Sequence, residues 1–419
     1  MRVLGMISGT SHDGIDVAVV EFDLDGSTLY GRVAHTATTE YSGVLRERLR
    51  EALPPEQTTL AAVCELDTLI GQAFAEAAEK AIHRAGPVDL VVSHGQTVYH
   101  WIHGARALGT LQIGQPAWIA ERTGSPVLSD VRIRDITVGG QGAPLVSYLD
   151  ALLLGALEGR PAALNLGGIA NMTLVADGVT AYDIGPANAL IDAVVVESGN
   201  ELGYDLDGRI AAAGVVDETL LDILLQDPYY RLPAPKSTGK EHFHGDYVRQ
   251  AVARTGRHVD MADTVATLTE LTVQTVVADV RAAGVTTLVA SGGGVHNPVI
   301  LAGLRNGLPD VDLVTSDRFG APTDDKEAIA FALIGWCTFH GLPGTVSGGT
   351  GAEQARILGS LTPGAAALRL PEPLAAAPVA LTLEIGVEHD RGGSEADCSR
   401  VRSPRESGRQ HLPRWCGHS

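Results

Sequence analysis

The chain has few cysteines, few aromatic residues and few basic residues for its length, and each shortage excludes a class of protein. Its 419 residues include only 4 cysteines, scattered without the framework of a small disulfide-stapled secreted protein. Lysine and arginine total 31 against 50 aspartates and glutamates, so the formal net charge is −19. A surface this acidic repels nucleic acids and anionic membranes, and we expect neither as a partner.

Long hydrophobic runs are also missing. No stretch of about 18 apolar residues occurs, so we expect no transmembrane helix, and the apolar part of the N-terminus is too short for a signal peptide. Free thiols fit a reducing compartment, which predicts a cytoplasmic location. The length predicts two domains, because a single hydrophobic core seldom grows to this size.

Glycine is abundant instead, and many of the 49 glycines stand where hydrophobic runs end. Glycine at such a point adopts positive φ or lets a ligand approach the backbone closely. Both halves of the chain open with a strand, a glycine turn and a returning strand, first at residues 3–22 and again at 163–175. We interpret this repeat as duplication of one α/β unit with a mixed sheet.

The predicted domains span residues 1–150 and 151–370, and both alternate strands with helices. The character of the sequence changes at about Pro371, and residues 391–419 are rich in arginine and lack hydrophobic periodicity. We therefore expect residues 371–419 to form a disordered or loosely attached tail.

Three glycine-rich segments are candidates for gripping a nucleotide between the two halves, because exposed backbone N–H groups bind phosphate even in an acidic protein. Each also has a plain interpretation as a hairpin or β–α turn, and for the first segment alone the two interpretations are equally good. The candidates are Gly9, Thr10, Ser11, His12, Asp13, Gly14, Ile15, Asp16, Gly167, Gly168, Gly292, Gly293 and Gly294.

The first segment differs from a P-loop, since no Gly-Lys-Ser/Thr follows its glycines. Asp13 is a candidate for holding Mg²⁺ through water, which is how that ion usually sits beside nucleotide phosphates. The spacing of histidines and cysteines predicts no zinc site built by the protein.

Two acidic residues are candidates for chemistry. Asp183 ends a predicted strand just before Gly185 and Pro186, where it can act as a general base, although the residue alone is more typical of a turn. Glu327 stands in the first turn of a predicted helix, where its plain role is to complement the helix dipole.

Polar residues in the first half suit a sugar. His94, Gln96 and Thr97 follow a predicted strand and can bond sugar hydroxyls. Arg132 lies in a stretch whose alternation fits a strand with one charged face. It can pair with a substrate carboxylate or with an internal acid.

Taken together, these segments resemble the anhydro-N-acetylmuramic acid kinase family, within the superfamily of sugar kinases, Hsp70 chaperones and actin. The resemblance covers about residues 1–360, and Ile184 and Ala187 depart from the Thr and Gly common in the family. It implies two ribonuclease-H-like domains with mixed sheets flanked by helices, in an actin-like ATPase architecture with a central cleft. The motifs are Gly9–Asp16, Ser93–Thr97, Gly139–Pro144, Asn165–Asn171, Asp183–Asn188, Lys236–Gly239, Gly292–Gly294 and Lys326–Ala328.

The resemblance also implies a reaction. The family uses ATP, with Mg²⁺ as its usual partner, to phosphorylate 1,6-anhydro-N-acetylmuramic acid while water opens the anhydro bridge, in peptidoglycan recycling. Asp183 would activate the water and Glu327 would help orient the sugar. Arg132 is expected at the lactyl carboxylate. Other sugar contacts are expected at His94, Gln96, Thr97 and Asn188, in a protein that is expected to be a homodimer.

Three other functions remain open at the level of the residues. An ordinary sugar kinase would use the same fold and the same base. An ATP-switched conformational protein would need a partner-binding appendage, for which the arginine-rich tail is the only candidate. A catalytically dead relative is the third, although Asp13, Asp183 and Glu327 are all present.

Overall fold

The computed structural model describes residues 1–9, 12, 14–53, 56–104, 106–176, 178–234, 236–239, 242–346 and 348–386. Three residues of the first glycine-rich segment, Thr10, Ser11 and Asp13, lie outside the described residues, as do residues 387–419 of the predicted tail.

The strands and helices alternate along both halves. The strands are β1 (Arg2–Ser8), β2 (Gly14–Asp25), β3 (Thr28–Glu40), β4 (Leu90–His103), β5 (Arg106–Ile113), β6 (Val127–Ser129), β7 (Pro161–Leu166), β8 (Ile169–Leu174), β9 (Thr180–Pro186), β10 (Thr287–Ser291), β11 (Asp312–Thr315), β12 (Ser360–Thr362) and β13 (Ala380–Ile385). The helices are α1 (Gly43–Ala52), α2 (Leu60–Ala85), α3 (Pro116–Thr123), α4 (Ile133–Ile136), α5 (Ser147–Leu154), α6 (Asn188–Glu197), α7 (Arg209–Ala213), α8 (Glu218–Leu225), α9 (Gly245–Arg254), α10 (Met261–Ala282), α11 (Pro298–Gly307) and α12 (Lys326–Phe339).

The two sheets share one topology. The first has the order β12-β6-β4-β1-β2-β3-β13, and the second has β11-β10-β7-β8-β9. In each, two antiparallel hairpin strands lie on one side of the opening strand and two strands parallel to it lie on the other, while β5, β12 and β13 are additions to the first sheet. The predicted duplication of a mixed α/β unit is therefore confirmed.

Helices cover both faces of the first sheet, which explains why the middle of β1, from Val3 to Ile7, is apolar and buried on both sides. One face packs against α2 and α3, and the other against α5 and α12. In the second sheet, α10 and α11 cover one face. On its other face, Leu154 of α5 packs against Ala163 and Val289, so α5 lies between the two sheets.

Helix α12 approaches the first sheet unusually closely. A Cβ on Gly5 of β1 would overlap the Ala328 carbonyl oxygen and lie 2.5 Å from the Ala332 nitrogen. A Cβ on Gly335 of the helix would in turn overlap the Val92 side chain of β4. Small residues on both elements thus permit a contact between helix backbone and strand backbone.

The structure corrects two predicted boundaries. Strand β13 pairs in parallel with β3 at the edge of the first sheet, so residues 380–385 are not a loose tail. Helix α12 and strand β12 also join the first sheet, although they were assigned to the second domain. The predicted charged strand around Arg132 is instead a turn followed by the short helix α4.

Among the described helices, none combines the length and the apolar character needed to cross a bilayer.

Replacement of Gly5 by alanine should destabilise the fold by about 1–3 kcal/mol or more, because the added methyl must push α12 away from β1. The measurement is the urea midpoint of purified Gly5→Ala. Gly43→Ala is the control, since a Cβ there meets nothing within 4 Å. Equal midpoints for Gly5→Ala and the wild type would contradict the close-packing account.

Candidate active site

The candidate site lies where the carboxyl ends of parallel strands in both sheets come near the start of α12. In the first sheet β1, β4 and β6 are parallel, and Gly9 follows β1 at this edge. In the second sheet β7 and β10 are parallel, and Gly167 and Gly292 follow them. Ligands of open α/β sheets bind beyond such strand ends.

Asp183 lies on β9 beside an irregularity in the pairing with β8, whose register shifts between Asp183 and Gly185. Such bulges re-aim neighbouring side chains and are common near active sites. The Asp183 carboxylate accepts hydrogen bonds from Ser237 Oγ at 2.8 Å and from the Thr238 N–H at 3.0 Å. Because the residue is half-buried, its carboxylate is both oriented and accessible.

The segment that orients Asp183 is itself tied to β9. The Asp183 N–H donates to the Lys236 carbonyl at 2.9 Å, and Tyr229 Oη donates to the Asp183 carbonyl at 2.7 Å. The Lys236 ammonium lies 4.8 Å from the centre of the Tyr229 ring, a cation–π contact. No periodicity in the sequence predicts this docking, and only the family motif singled out the segment.

The two departures beside Asp183 do not line the open site. Ile184 and Ala187 are each only 1% exposed and belong to the hydrophobic core under the second sheet. Their side chains therefore fill the core and do not face the open side of the site.

Asn188 closes the glycine turn between β7 and β8. Its N–H donates to the Gly167 carbonyl at 3.0 Å, and its side-chain Nδ2 donates to the Leu166 carbonyl at 3.1 Å. The neighbouring N–H groups of Ala187 and Ala189 both donate to the Gly168 carbonyl. Asn188 was predicted to bind the sugar, whereas here its side chain holds the turn.

The triple glycine packs against the same turn. Gly292 has φ +82°, and a Cβ on it would lie 2.9 Å from the Leu166 carbonyl carbon, while one on Gly294 would lie 2.7 Å from Leu166 Cβ. At Gly293, by contrast, a Cβ would meet nothing within 4 Å, and the residue is exposed. Two glycines thus serve close packing, and the third leaves bare backbone open to a ligand.

Gln96 and Thr97 support the first glycine-rich segment. Fully buried Gln96 accepts a hydrogen bond from Ser8 Oγ at 2.7 Å and donates to the Gly9 carbonyl at 3.1 Å. Thr97 Oγ1 accepts from Gln112 Nε2 at 3.1 Å. Gln96 thus holds the phosphate-loop candidate at its start, and its sugar contact stays a prediction.

Of the other described residues in that segment, Ile15 packs in the core, and His12 and Asp16 lie nearer the surface. His12 has φ +57°, a conformation uncommon for a residue with a side chain. Ile15 is fully buried in the core beside α2, so it can contact a ligand only through its backbone. Asp16 is half-buried and accepts a hydrogen bond from Thr38 Oγ1 at 2.7 Å.

Arg132 is held from two sides. Its Nε donates to His94 Nε2 at 2.7 Å and its Nη1 donates to the Gly142 carbonyl at 2.9 Å. His94 is 2% exposed and was predicted to touch the sugar, whereas its ring is here enclosed by protein. Burial of the imidazole, together with the Arg132 charge, lowers the pKa of His94 well below its usual range.

Glu327 stands close enough to Arg132 for each to shift the titration of the other. The Glu327 side chain is accessible at its surface. Loss of water to the protein around it raises the pKa of its carboxyl, while the charges of Arg132 and Lys326 oppose that rise. The structure therefore brings the predicted carboxylate-binding arginine and the predicted sugar-orienting glutamate into one neighbourhood.

Lys326 joins the two sheets through a buried ion pair that sequence reasoning missed. Its Nζ lies 2.5 Å from Asp150 Oδ1 of α5 and donates to Ser291 Oγ of β10 at 3.1 Å. Both charged side chains are about 5% exposed. Because leaving one charge of a buried ion pair without its partner costs much free energy, this contact fixes the position of the start of α12.

The described residues hold no group of three or more His, Cys, Asp or Glu side chains suited to a metal ion. Asp13, the predicted Mg²⁺ residue, lies outside them, so its role stays a prediction.

Substitution at the triple glycine should separate packing from ligand binding. Gly293→Ala should keep the wild-type unfolding midpoint but weaken nucleotide binding, because its methyl enters only the open space. Gly292→Ala should lose about 1 kcal/mol or more of stability through its positive φ alone. The measurements are thermal unfolding and calorimetric titration with a non-hydrolysable ATP analogue. Undiminished affinity in Gly293→Ala would contradict nucleotide binding at this surface.

Comparison with known proteins gives a consistent result. The profile of the family described as anhydro-N-acetylmuramic acid kinase matches residues 1–364. A protein of that name from Streptomyces coelicolor is 53% identical, over 89% of this chain and 96% of its own. One from Rhodococcus erythropolis is 49% identical, over 92% and 100%. Among solved structures, component A of (R)-2-hydroxyglutaryl-CoA dehydratase from Acidaminococcus fermentans has TM-score 0.41 and 12% identity, covering 79% of this chain and 96% of its own, too distant to support an argument.

Proposed function

This chain belongs to the anhydro-N-acetylmuramic acid kinase family, and we propose that its kinase reaction opens 1,6-anhydro-N-acetylmuramic acid with water and phosphorylates the freed 6-oxygen from ATP. The product is N-acetylmuramic acid 6-phosphate, formed during recycling of cell-wall peptidoglycan. The observation that supports this most is the half-buried Asp183 carboxylate, which accepts hydrogen bonds from Ser237 Oγ and the Thr238 N–H.

Asp183 acts as the general base. It removes a proton from a water molecule whose oxygen forms a bond to the anomeric carbon of the sugar. The bond from that carbon to the bridging oxygen breaks, and this oxygen then bonds the γ-phosphorus as ADP leaves. The two hydrogen bonds to the Asp183 carboxylate orient it for this proton transfer.

The chain's own residues mainly position the reactants, as in other phosphoryl transfers. The first glycine-rich segment holds the phosphates, and Gly293 presents open backbone to the adenosine. Arg132 pairs with the lactyl carboxylate, and Glu327 orients the sugar. Asp13 is the proposed holder of Mg²⁺, which supplies neutralisation of the phosphate charge.

The same family resemblance supports a homodimer located in the cytoplasm. Its binding partner is the small sugar, and it binds neither nucleic acid nor membranes. The high identity to relatives with this name favours the anhydro-sugar reaction over an ordinary sugar kinase or an ATP-driven switch.

Asp183→Asn should abolish turnover, because the amide cannot accept the proton from water. The wild type and the variant are incubated with ATP, Mg²⁺ and 1,6-anhydro-N-acetylmuramic acid in ¹⁸O-water. The mass of the sugar product is then measured by mass spectrometry. The wild type should yield a ring-opened 6-phosphate that carries the heavy oxygen. ADP release with ordinary sugars alone would refute the anhydro reaction, and full activity in Asp183→Asn would refute the base.

Ser237→Ala should lower kcat about 10- to 100-fold, since a hydrogen bond to a charged group contributes about 1.5–3 kcal/mol. Ser198→Ala is the matched control, because Ser198 Oγ bonds only the Val195 carbonyl at the end of α6. Steady-state kinetics compare the two variants. Equal kcat values in Ser237→Ala and the control would show that this bond does not support the base.

A further inference from the structure

The His94 imidazole lies where three elements of the site meet. It belongs to β4, its Nε2 contacts Arg132 at 2.7 Å, and its ring centre is 4.8 Å from that of Phe331 on α12. Phe331 stands one helical turn after Glu327, on the same face of the helix. One buried ring thus contacts both Arg132, in the turn before α4, and Phe331 on the helix that carries Glu327.

The contacts of His94 determine its protonation. An arginine Nε always carries a hydrogen, so His94 Nε2 must be the acceptor. The Gly95 carbonyl can only accept, so Nδ1, 2.9 Å from it, must carry the ring hydrogen. Both ring nitrogens are then satisfied by a neutral imidazole with a defined tautomer, in agreement with the lowered pKa.

We propose that neutral His94 is a positioning residue that aims the Arg132 guanidinium at the carboxylate of the sugar without neutralising its charge. An aspartate or glutamate in its place would also accept from Arg132 but would cancel the positive charge. A neutral acceptor leaves that charge available to an anionic ligand in surroundings poor in water, where the attraction is stronger. The inference rests on the proposed role of Arg132.

The second anchor of Arg132 is equally fixed. The Gly142 carbonyl that accepts from Nη1 belongs to a loop whose Gly142 N–H donates to the Asp135 carboxylate at 2.8 Å. Asp135 is 1% exposed and accepts a further hydrogen bond from Thr350 Oγ1 at 2.6 Å. With Nε and Nη1 both engaged, the guanidinium plane is fixed and the remaining N–H groups form the edge available to a carboxylate.

Two titratable groups, His100 and Glu327, face the pair of His94 and Arg132, and a bound sugar carboxylate would affect both. His100 lies on the β4–β5 hairpin, and burial together with the Arg132 charge lowers the pKa of its ring. Glu327 is the acidic neighbour, and its carboxyl pKa is raised by its surroundings against the pull of Arg132. Loss of the His94 acceptor should leave both groups in place while the aim of Arg132 is lost.

The test compares two replacements of His94. His94→Phe retains a ring against Phe331 but removes the acceptor, so the KM for the anhydro-sugar should rise about tenfold or more while kcat changes less. His94→Gln places an amide oxygen near the position of Nε2 and should restore most of the KM. The control is His340→Phe at the end of α12, whose ring bonds the Trp336 carbonyl, and it should keep the wild-type KM.

A merely structural role for His94 would give a different pattern. Unchanged KM in His94→Phe, or equal KM values in His94→Phe and His94→Gln, would overturn the proposal. Ring ¹⁵N NMR of the wild-type protein gives a second test that needs no turnover. An unprotonated Nε2 from pH 6 to 8, shifted in Arg132→Met, supports the proposal, and a protonated Nε2 overturns it. Absent anhydro-sugar turnover in the wild type would instead count against the proposed function.

Discussion

The close approach of helix α12 to strand β1 is the constraint on which the candidate site depends. Gly5 lets the backbone of the helix approach that of the strand, and Gly335 lets the helix settle on β4. The helix then has no freedom to slide, because a shift along its axis would bring larger side chains against these strands. Its first turn is thereby fixed, and Lys326 and Glu327 project from that turn.

Positively charged residues lie together in the site although the protein as a whole is acidic. The chain as a whole carries a formal charge of −19, yet Arg132 and Lys326 lie together near Glu327. Lys326 is committed to Asp150 and serves to join the sheets. The two hydrogen bonds that fix Arg132 both go to neutral acceptors, the His94 ring and the Gly142 carbonyl, so neither acceptor cancels its charge, and the Glu327 carboxylate lies nearby.

Local patterns in the sequence predicted a large part of this fold. Helix α2 is bounded by local signals, since Thr59 is its N-cap and Gly86, with φ +90°, is its C-cap. The glycine turns after β1 and β7 predicted the duplicated unit because hairpin openings have a local signature. Asp183 was predicted to end a strand, whereas it lies in the middle of β9, which continues to Pro186 beyond the irregularity in its pairing with β8.

What the sequence could not predict depends on contacts between distant segments. Neither the docking of Ser237 on Asp183 nor the Lys326–Asp150 pair has a local period. Strand β13 alternates apolar residues with Thr382 and Glu384, but the prolines and alanines before it drew the whole segment into the predicted tail. His94 and Gln96 were taken as ligand contacts because their polarity was visible, whereas their enclosure appears only once β4 is placed beside β1.

The position of β13 has a consequence for how the molecule is made. The first sheet receives its outermost strand β13 and its central covering helix α12 from the far end of the chain, although its opening strands are synthesised first. Closing so large a loop is slow, and contacts of such long range are formed late. During synthesis β3 therefore has an unpaired edge and β1 an uncovered apolar face until nearly the whole chain is available. That interval is when the nascent protein is most exposed to aggregation and in greatest need of chaperones.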